Sequence, residues 1–445
     1  MSVDFKIRDF LYPASIIKLR LFLEKSQWFT EEMLREYQFK RLMIILDHAY
    51  RKVPYYRRMF DKEGIRVKDV KQLEDIERIP HLTKDMVKDN FESLQAVDIE
   101  NYGPQLNRTT GTTGEPVNFF LDKTSNILEF CYYWRYWSWA GYSIYTPFAE
   151  FSLHHFLGKK DGLMDYSHMT RRLTLNPAQM SYDRIDDFVD IIRKYKPVFL
   201  KGSPSTIYMF ALLTRRRGHE LSFKAVFTTG ELVIPSHRET IEKTFKCTLI
   251  DSYGHMERTV AVSQCPEKSY HINSEYGIME VMENPKLSSR HKRVGNVLGT
   301  SLHNFAMPLI RYEIGDLVGI KRKDTGCGCG RGLPVCDEIL GRKQNILVTP
   351  DGRFLTNIFI LFNELVGIRW VQIIQESIDE IRVDLIEGGD YQPSSEERFL
   401  RTLKDLVGDG MHVTVDHLDG DELPKKRANK YIPVISRINI EREYQ

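Results

Sequence analysis

From residue 124 to residue 245 the sequence alternates helical and extended patterns, and this alternation constrains the fold more than any other feature. Apolar spacing predicts helices over Thr124 to Ala140 and Tyr182 to Tyr195, a strand over Pro197 to Lys201, and a helix from Pro204. A second strand over Ala225 to Thr228 and a further helix from Pro235 complete the series. Helices interleaved with short strands imply mixed α/β architecture. Upstream, Leu34, Tyr37, Leu42, Ile45, Leu46 and Ala49 recur at helical spacing until Val53-Pro54 interrupts them, so this stretch reads as helix, break, helix. From Gly295 to Gly330 the pattern shifts to short strands and turns. Beyond Gly341-Arg342 the expected elements are a helix near Asn357 to Val366, strands at Trp370 to Ile374 and Ile381 to Ile386, and a charged helix from Ser394 to Leu406. At 445 residues the chain is too long for one ordinary core. The expected division is a large, multi-layer α/β N-terminal domain over residues 1–340 and a small α+β C-terminal domain over residues 341–445.

Charge and composition exclude several functions. Lys+Arg number 63 against 61 Asp+Glu, a formal net charge of +2, which provides no broad basic field for nucleic acid. The N-terminal residues Met1 to Lys18 mix charges through their apolar positions, unlike a signal peptide. The most apolar stretch, Ile127 to Phe148, contains Glu129 and Arg135 and falls short of a membrane span, so no transmembrane segment is expected. Six cysteines, three of them between Cys327 and Cys336, suit a metal site in a reducing compartment better than a disulfide framework, and the expected location is cytoplasmic.

Chemistry first shows in Arg108-Thr109-Thr110-Gly111-Thr112-Thr113-Gly114-Glu115-Pro116. Glycines admit backbone N–H groups to phosphate oxygens, and threonine hydroxyls add donors. The loop reads either as a phosphate cradle or as a solvated turn. No Gly-Lys-Ser/Thr closes it, so it is not a Walker A loop. The aromatic run Phe130 to Trp139 reads as buried core rather than a ligand box, while His154-His155 fits either a pocket lining or packing. Cys265 precedes His271 by six residues and Cys327 and Cys329 bracket a glycine, so these four could complete one tetrahedral Zn²⁺ site, with Cys336 as a competing ligand or the thiols simply packed.

Taken in order, these segments resemble the acyl-adenylate-forming enzymes. The loop Thr109, Thr110, Gly111, Thr112, Thr113, Gly114 is similar to that superfamily's phosphate loop, and Gly230-Glu231 to its adenine-pocket turn. Asp251-Ser252-Tyr253-Gly254-His255-Met256-Glu257 resembles the Tyr-Gly-x-x-Glu segment, which implies that Tyr253 stacks on adenine, with Ser252 and Gly254 beside it, and that Glu257 helps hold Mg²⁺. Leu309 to Leu317 resembles the Tyr-Arg-x-Gly-Asp-Leu segment, which implies that Asp316 holds the ribose hydroxyls. Arg342 in Gly341-Arg342 corresponds to the arginine near the domain joint. Lys430, in Arg427-Ala428-Asn429-Lys430, resembles the C-terminal catalytic lysine that reaches the substrate carboxylate and α-phosphate.

Within the superfamily, His48-Ala49-Tyr50-Arg51-Lys52-Val53-Pro54-Tyr55-Tyr56 and the Cys-x-Cys-Gly-Arg run resemble the phenylacetate-CoA ligase and CapK-type branch, whose relatives carry a Cys/His metal knot at this place. The resemblance implies an N-terminal adenylation domain with a mobile C-terminal lid, ATP and Mg²⁺ as cofactors, a structural Zn²⁺, and a small carboxylic acid as substrate. It further implies transfer of the acyl group to coenzyme A or to an amine, including a sugar amine of surface-polysaccharide assembly. The chain departs from the pattern at Glu115, where a lysine is usual, at Lys343-Gln344-Asn345, and at Asn429. Glu115 and Gln344 leave a non-catalytic nucleotide-binding regulator as the alternative.

Overall fold

The computed structural model describes residues 14–108, 117–157, 162–233, 235–285, 288–322, 326–340, 347–355, 358, 361–362, 365–389, 391–418 and 434–438. The chain divides into two compact units. The first combines residues 1–108, 117–144 and 252–341, and the second combines 109–116, 145–251 and 342–445.

In the first unit, helix Glu31–Lys52 starts where the Thr30 side chain accepts the Met33 N–H, and ends at extended Val53, held there by the following proline. Pro54 opens helix Pro54–Glu63, where its missing N–H costs nothing, and Gly64 ends that helix at φ 64°. Leu42, Ile45, Leu46, Ala49, Tyr56 and Phe60 from these helices enter one core with Val260, Val262, Val297, Ile310 and Val318. Each fully buried Val, Leu or Ile side chain among them contributes about 1.5–3 kcal/mol by leaving water. An antiparallel sheet runs Gly277–Glu283, Lys292–Ser301, Tyr312–Lys321, Glu338–Ile339. A second group pairs the end of strand Thr248–Gly254 with Ala261–Gln264, then Tyr270–Ile272, then Val335–Cys336.

The aromatic helix spans Lys123–Ser138, with Tyr132, Trp134, Tyr136 and Trp137 buried as expected, although Phe130 is exposed. Arg135 on this helix is fully buried and pairs with Glu275 at 2.8 Å, a contact whose one-sided loss would strand a charge in the core.

In the second unit, strands Ala225–Thr229, Phe199–Gly202, Phe148–Phe151 and Arg172–Leu175 lie parallel in that order, and Met164–Ser167 closes the edge antiparallel. Helices Ile185–Tyr195, Pro204–Arg216 and Pro235–Phe245 connect the strands or follow them and supply Phe188, Ile192, Ile207, Phe210, Ile241 and Phe245 to the core. The C-terminal stretch adds a sheet of Ile368–Ser377 and Glu380–Glu387 flanked by His412–His417 and Val434–Ser436, with helix Pro393–Val407 contributing Phe399, Leu403 and Val407 to a core that also holds Leu153 and Ala178. The helix expected near Asn357 to Val366 falls largely outside the described residues. Among the described residues no helix is long and apolar enough to cross a membrane.

Candidate active site

The segments around residues 253 and 316 meet in the first unit. Tyr253 and Gly254 end one strand, and Tyr312 and Asp316 lie on strand Tyr312–Lys321. Two packed residues brace the approach to that strand. Tyr56, from the N-terminal signature, is fully buried, donates to Pro308 O at 3.0 Å and accepts the Ile310 N–H at 3.0 Å. Arg311 takes φ 51°, a left-handed conformation that costs a side-chain-bearing residue energy, and its guanidinium grips both Glu280 oxygens at 3.0 and 3.1 Å and the Glu77 carbonyl at 2.9 Å. The strain is thus held by three side-chain and backbone contacts immediately before the segment carrying Asp316.

Across this arrangement each tyrosine holds the other segment's carboxylate. The Tyr253 hydroxyl donates to Asp316 Oδ2 at 3.0 Å, and the Tyr312 hydroxyl donates to Glu257 Oε1 at 2.8 Å. Ser252, buried beside them, shares a hydrogen bond with the Tyr136 hydroxyl at 3.1 Å. Glu257 Oε2 lies 2.9 Å from His255 Nδ1. Burial by itself would raise the Glu257 pKa, but the hydrogen bond from His255, the Lys84 charge and the Tyr312 hydroxyl outweigh it and hold the carboxyl at about 2. An ionised carboxylate with one lone pair on each oxygen beyond these two donors suits a hard cation such as Mg²⁺.

In the second unit, Gly230 turns at φ 86°, which only glycine adopts without strain. Glu231 follows it, and its Oε2 accepts the Ser205 N–H at 3.0 Å in the first turn of helix Pro204–Arg216. Its Oε1 is buried without a hydrogen-bond partner, and burial, against the donors of Ser205 and Ser203, pushes the carboxyl pKa up. His155 bonds Asp165 at 2.9 Å at the surface and His154 is exposed, so this pair does not form a buried pocket wall. The loop Thr109 to Gly114, Arg342 and Lys430 lie outside the described residues.

Cys265, His271, Cys327 and Cys329 come together, their ligand atoms all within 4.8 Å of one another. Sγ of Cys265 and Cys327 are 3.7 Å apart, close to the roughly 3.8 Å edge of a tetrahedron with 2.3 Å Zn–S bonds. His271 is fully buried and its Nδ1 must donate to the Leu333 carbonyl at 3.1 Å, which leaves the Nε2 lone pair facing Cys329 Sγ at 3.3 Å. Burial and the neighbouring sulfurs push Cys265 up to about 12, so without a cation these thiols resist ionising together. The donor set and spacing fit zinc. Cys336 is apart from them, its thiol directed to the carbonyls of Gly319 and Glu338, and so it does not compete. Around the cluster, Arg331 stacks 4.3 Å from the Trp139 ring and 5.2 Å from Trp28, while the Gly332 N–H bonds Gln27 O. A Cβ on Gly332 would meet Phe29 O at 1.8 Å.

Tyr312 and His255 had no separate signal in the sequence, because each stood inside a segment read for its neighbours. A histidine two residues before Glu257 was the available hint.

Residues 347–437 match the CapK C-terminal domain. A phenylacetate-coenzyme A ligase of Thermus thermophilus is 27% identical over 341 residues, 71% of this chain and 72% of its own. Protein CapK of Staphylococcus aureus is 22% identical over 410 residues, 84% of this chain and 85% of its own. A solved 2-hydroxyisobutyryl-CoA ligase, in complex with 2-HIB-AMP and CoA in the thioesterification state, shares the fold with TM-score 0.60 over 98% of this chain and 96% of its own, at 17% identity.

Proposed function

We propose, on the premise that the chain belongs to the phenylacetate-CoA ligase and CapK branch of the acyl-adenylate-forming enzymes, that it uses ATP to convert a carboxylic acid to an acyl-adenylate and passes the acyl group on. It is an AMP-forming acid ligase. The observation that carries the reading is the paired Tyr253–Asp316 and Tyr312–Glu257 contacts, which join the segments around residues 253 and 316 in one network.

In this reading the acid's carboxylate oxygen attacks the α-phosphorus of ATP, the bond to the pyrophosphate oxygen breaks, and pyrophosphate leaves. Asp316 accepts the ribose hydroxyls and the Tyr253 ring lies on adenine, with Ser252 and Gly254 beside it; the turn at Gly230-Glu231 takes the adenine-pocket role that the resemblance gives it. The loop Thr109 to Gly114 cradles the phosphates, and Arg342 contacts the nucleotide. Lys430, on a mobile C-terminal lid of residues 341–445, orients carboxylate and α-phosphate as charge develops between them. Glu257 would hold Mg²⁺, which when bound would offset phosphate charge. Cys265, His271, Cys327 and Cys329 would hold a structural Zn²⁺, and a cluster needing reduced thiols supports a cytoplasmic setting.

Coenzyme A is the acceptor that the ligase relatives favour. The match to the CapK C-terminal domain supports a second acceptor, an amine such as that of an amino sugar in surface-polysaccharide assembly. Exchange of labelled pyrophosphate into ATP, run across a panel of carboxylic acids, tests the first half-reaction; no exchange with any acid would sink it. Adding coenzyme A or amino sugars to the productive acid then identifies the acceptor.

A further inference from the structure

His255 does more in the structure than fill a turn. Its Nε2 receives the backbone N–H groups of Thr259 and Val260, both at 3.2 Å, and lies 2.9 Å from the Thr259 hydroxyl. Backbone amides can only donate, so Nε2 carries no proton and the ring's single N–H is on Nδ1. That N–H points at Glu257 Oε2, 2.9 Å away. The tautomer is therefore set by the backbone, and the tautomer sets what the imidazole offers to the carboxylate.

The backbone that sets it is itself held from two sides. A Cβ on Gly277 would meet Thr259 O at 1.9 Å, and a Cβ on Gly299 would meet Thr259 Oγ1 at 1.9 Å. Two neighbouring strands thus close on Thr259 at positions where only glycine fits, and Thr259 is fully buried. From this fixed point the chain of contacts runs Thr259 to His255 to Glu257, with Tyr312 closing on the other oxygen of the carboxylate. Both carboxylate oxygens are gripped, and the rotation of the group is fixed with one lone pair on each oxygen uncommitted to these donors.

We propose that His255 is a positioning residue for Glu257: its Nδ1–H fixes the carboxylate in the orientation that receives the nucleotide-bound divalent cation. The inference rests on the adenylating function and names what sets its metal requirement. Partners of this kind, one bond removed from a metal ligand, typically change metal affinity by about 10- to 100-fold when removed.

The test compares full-length His255→Asn and His255→Leu. Asparagine places an amide N–H near the former Nδ1, whereas leucine fills similar space with no donor. Both lose the Nε2 acceptor, so any effect of the turn on folding is common to the two. Mn²⁺ serves as the spectroscopic probe, titrated by electron paramagnetic resonance in the presence of α,β-methylene-ATP, with thermal melting recorded in parallel. The expected result is a Mn²⁺ dissociation constant raised about tenfold or more in His255→Leu and largely restored in His255→Asn. Equal loss in both variants, or wild-type affinity in a folded His255→Leu, would overturn the proposal. Should His255→Leu fail to fold, His255→Asn decides alone: affinity kept supports the donor role, and affinity lost overturns it. A wild-type chain that binds no Mn²⁺ with the nucleotide and exchanges no pyrophosphate removes the underlying function, an outcome read in the wild-type arm before any variant is compared.

Discussion

The hydroxyl of Tyr253 sits 3.0 Å from Oδ2 of Asp316, two residues 63 positions apart in the chain. A tyrosine whose ring faces adenine and whose hydroxyl steers the ribose-binding carboxylate would couple two halves of one nucleoside site. Tyr253→Phe keeps the ring and removes only a hydrogen bond to a charged group, a contact of about 1.5–3 kcal/mol. The expected result is ATP binding weakened by roughly tenfold, with Asp316→Ala weaker still and both variants folded. Calorimetric titration with ATP reads both. Unchanged affinity in Asp316→Ala would remove the site assignment, and unchanged affinity in Tyr253→Phe alone would confine the tyrosine to stacking.

Acid stability should carry the signature of His303. Its Nε2 donates to Glu275 O at 2.7 Å, and Arg41 lies 3.5 Å from Nδ1, so a second proton would be buried facing a cation. Burial first, then the Arg41 charge, pushes its pKa down to about 4. The unfolded chain binds this proton near pH 6.5 while the folded chain refuses it until about pH 4. Between those values the unfolded state holds more protons, so stability is complete above pH 6.5 and falls as pH drops toward 4, by about 3 kcal/mol. His303→Gln keeps a donor for Glu275 O and cannot titrate. Urea unfolding at several pH values should show a shallower acid loss in the variant; parallel profiles would contradict the assignment.

How far the sequence discloses this molecule depends on whether a feature is local. The break at Val53-Pro54, the aromatic helix and the α/β alternation are legible because proline geometry and apolar spacing act within a few residues. The ends of strand Ile368–Ser377 are less so: Gln375, Glu376 and Ser377 have no strand pattern of their own and are extended by pairing with Glu380–Glu387. In the site, Tyr253, Glu257 and Asp316 stand out as motif residues. Their mutual hydrogen bonds do not, since these arise from the register of strands distant in sequence. Thr259 illustrates the limit, because its enclosure by Gly277 and Gly299 is a fact of three-dimensional packing.

The four-residue cluster supplies the last test. Cys265 follows strand Ala261–Gln264, His271 lies on its partner Tyr270–Ile272, and Cys327 and Cys329 stand in a separate loop, so a bound cation would pin that loop to the strand pair. Metal binding to such a site is coupled to folding, because the unfolded chain presents no assembled ligand set. Elemental analysis of protein purified without added metal should find about one zinc per chain. Cys327→Ser should lose the metal and lower the unfolding free energy on the order of a few kcal/mol. Cys336→Ser is the informative control: that thiol is buried nearby in sequence but turned to the carbonyls of Gly319 and Glu338, so the variant should keep its zinc. Metal lost from Cys336→Ser and retained in Cys327→Ser would reverse the ligand assignment, and metal-free wild-type protein of full thermal stability would end the zinc reading altogether.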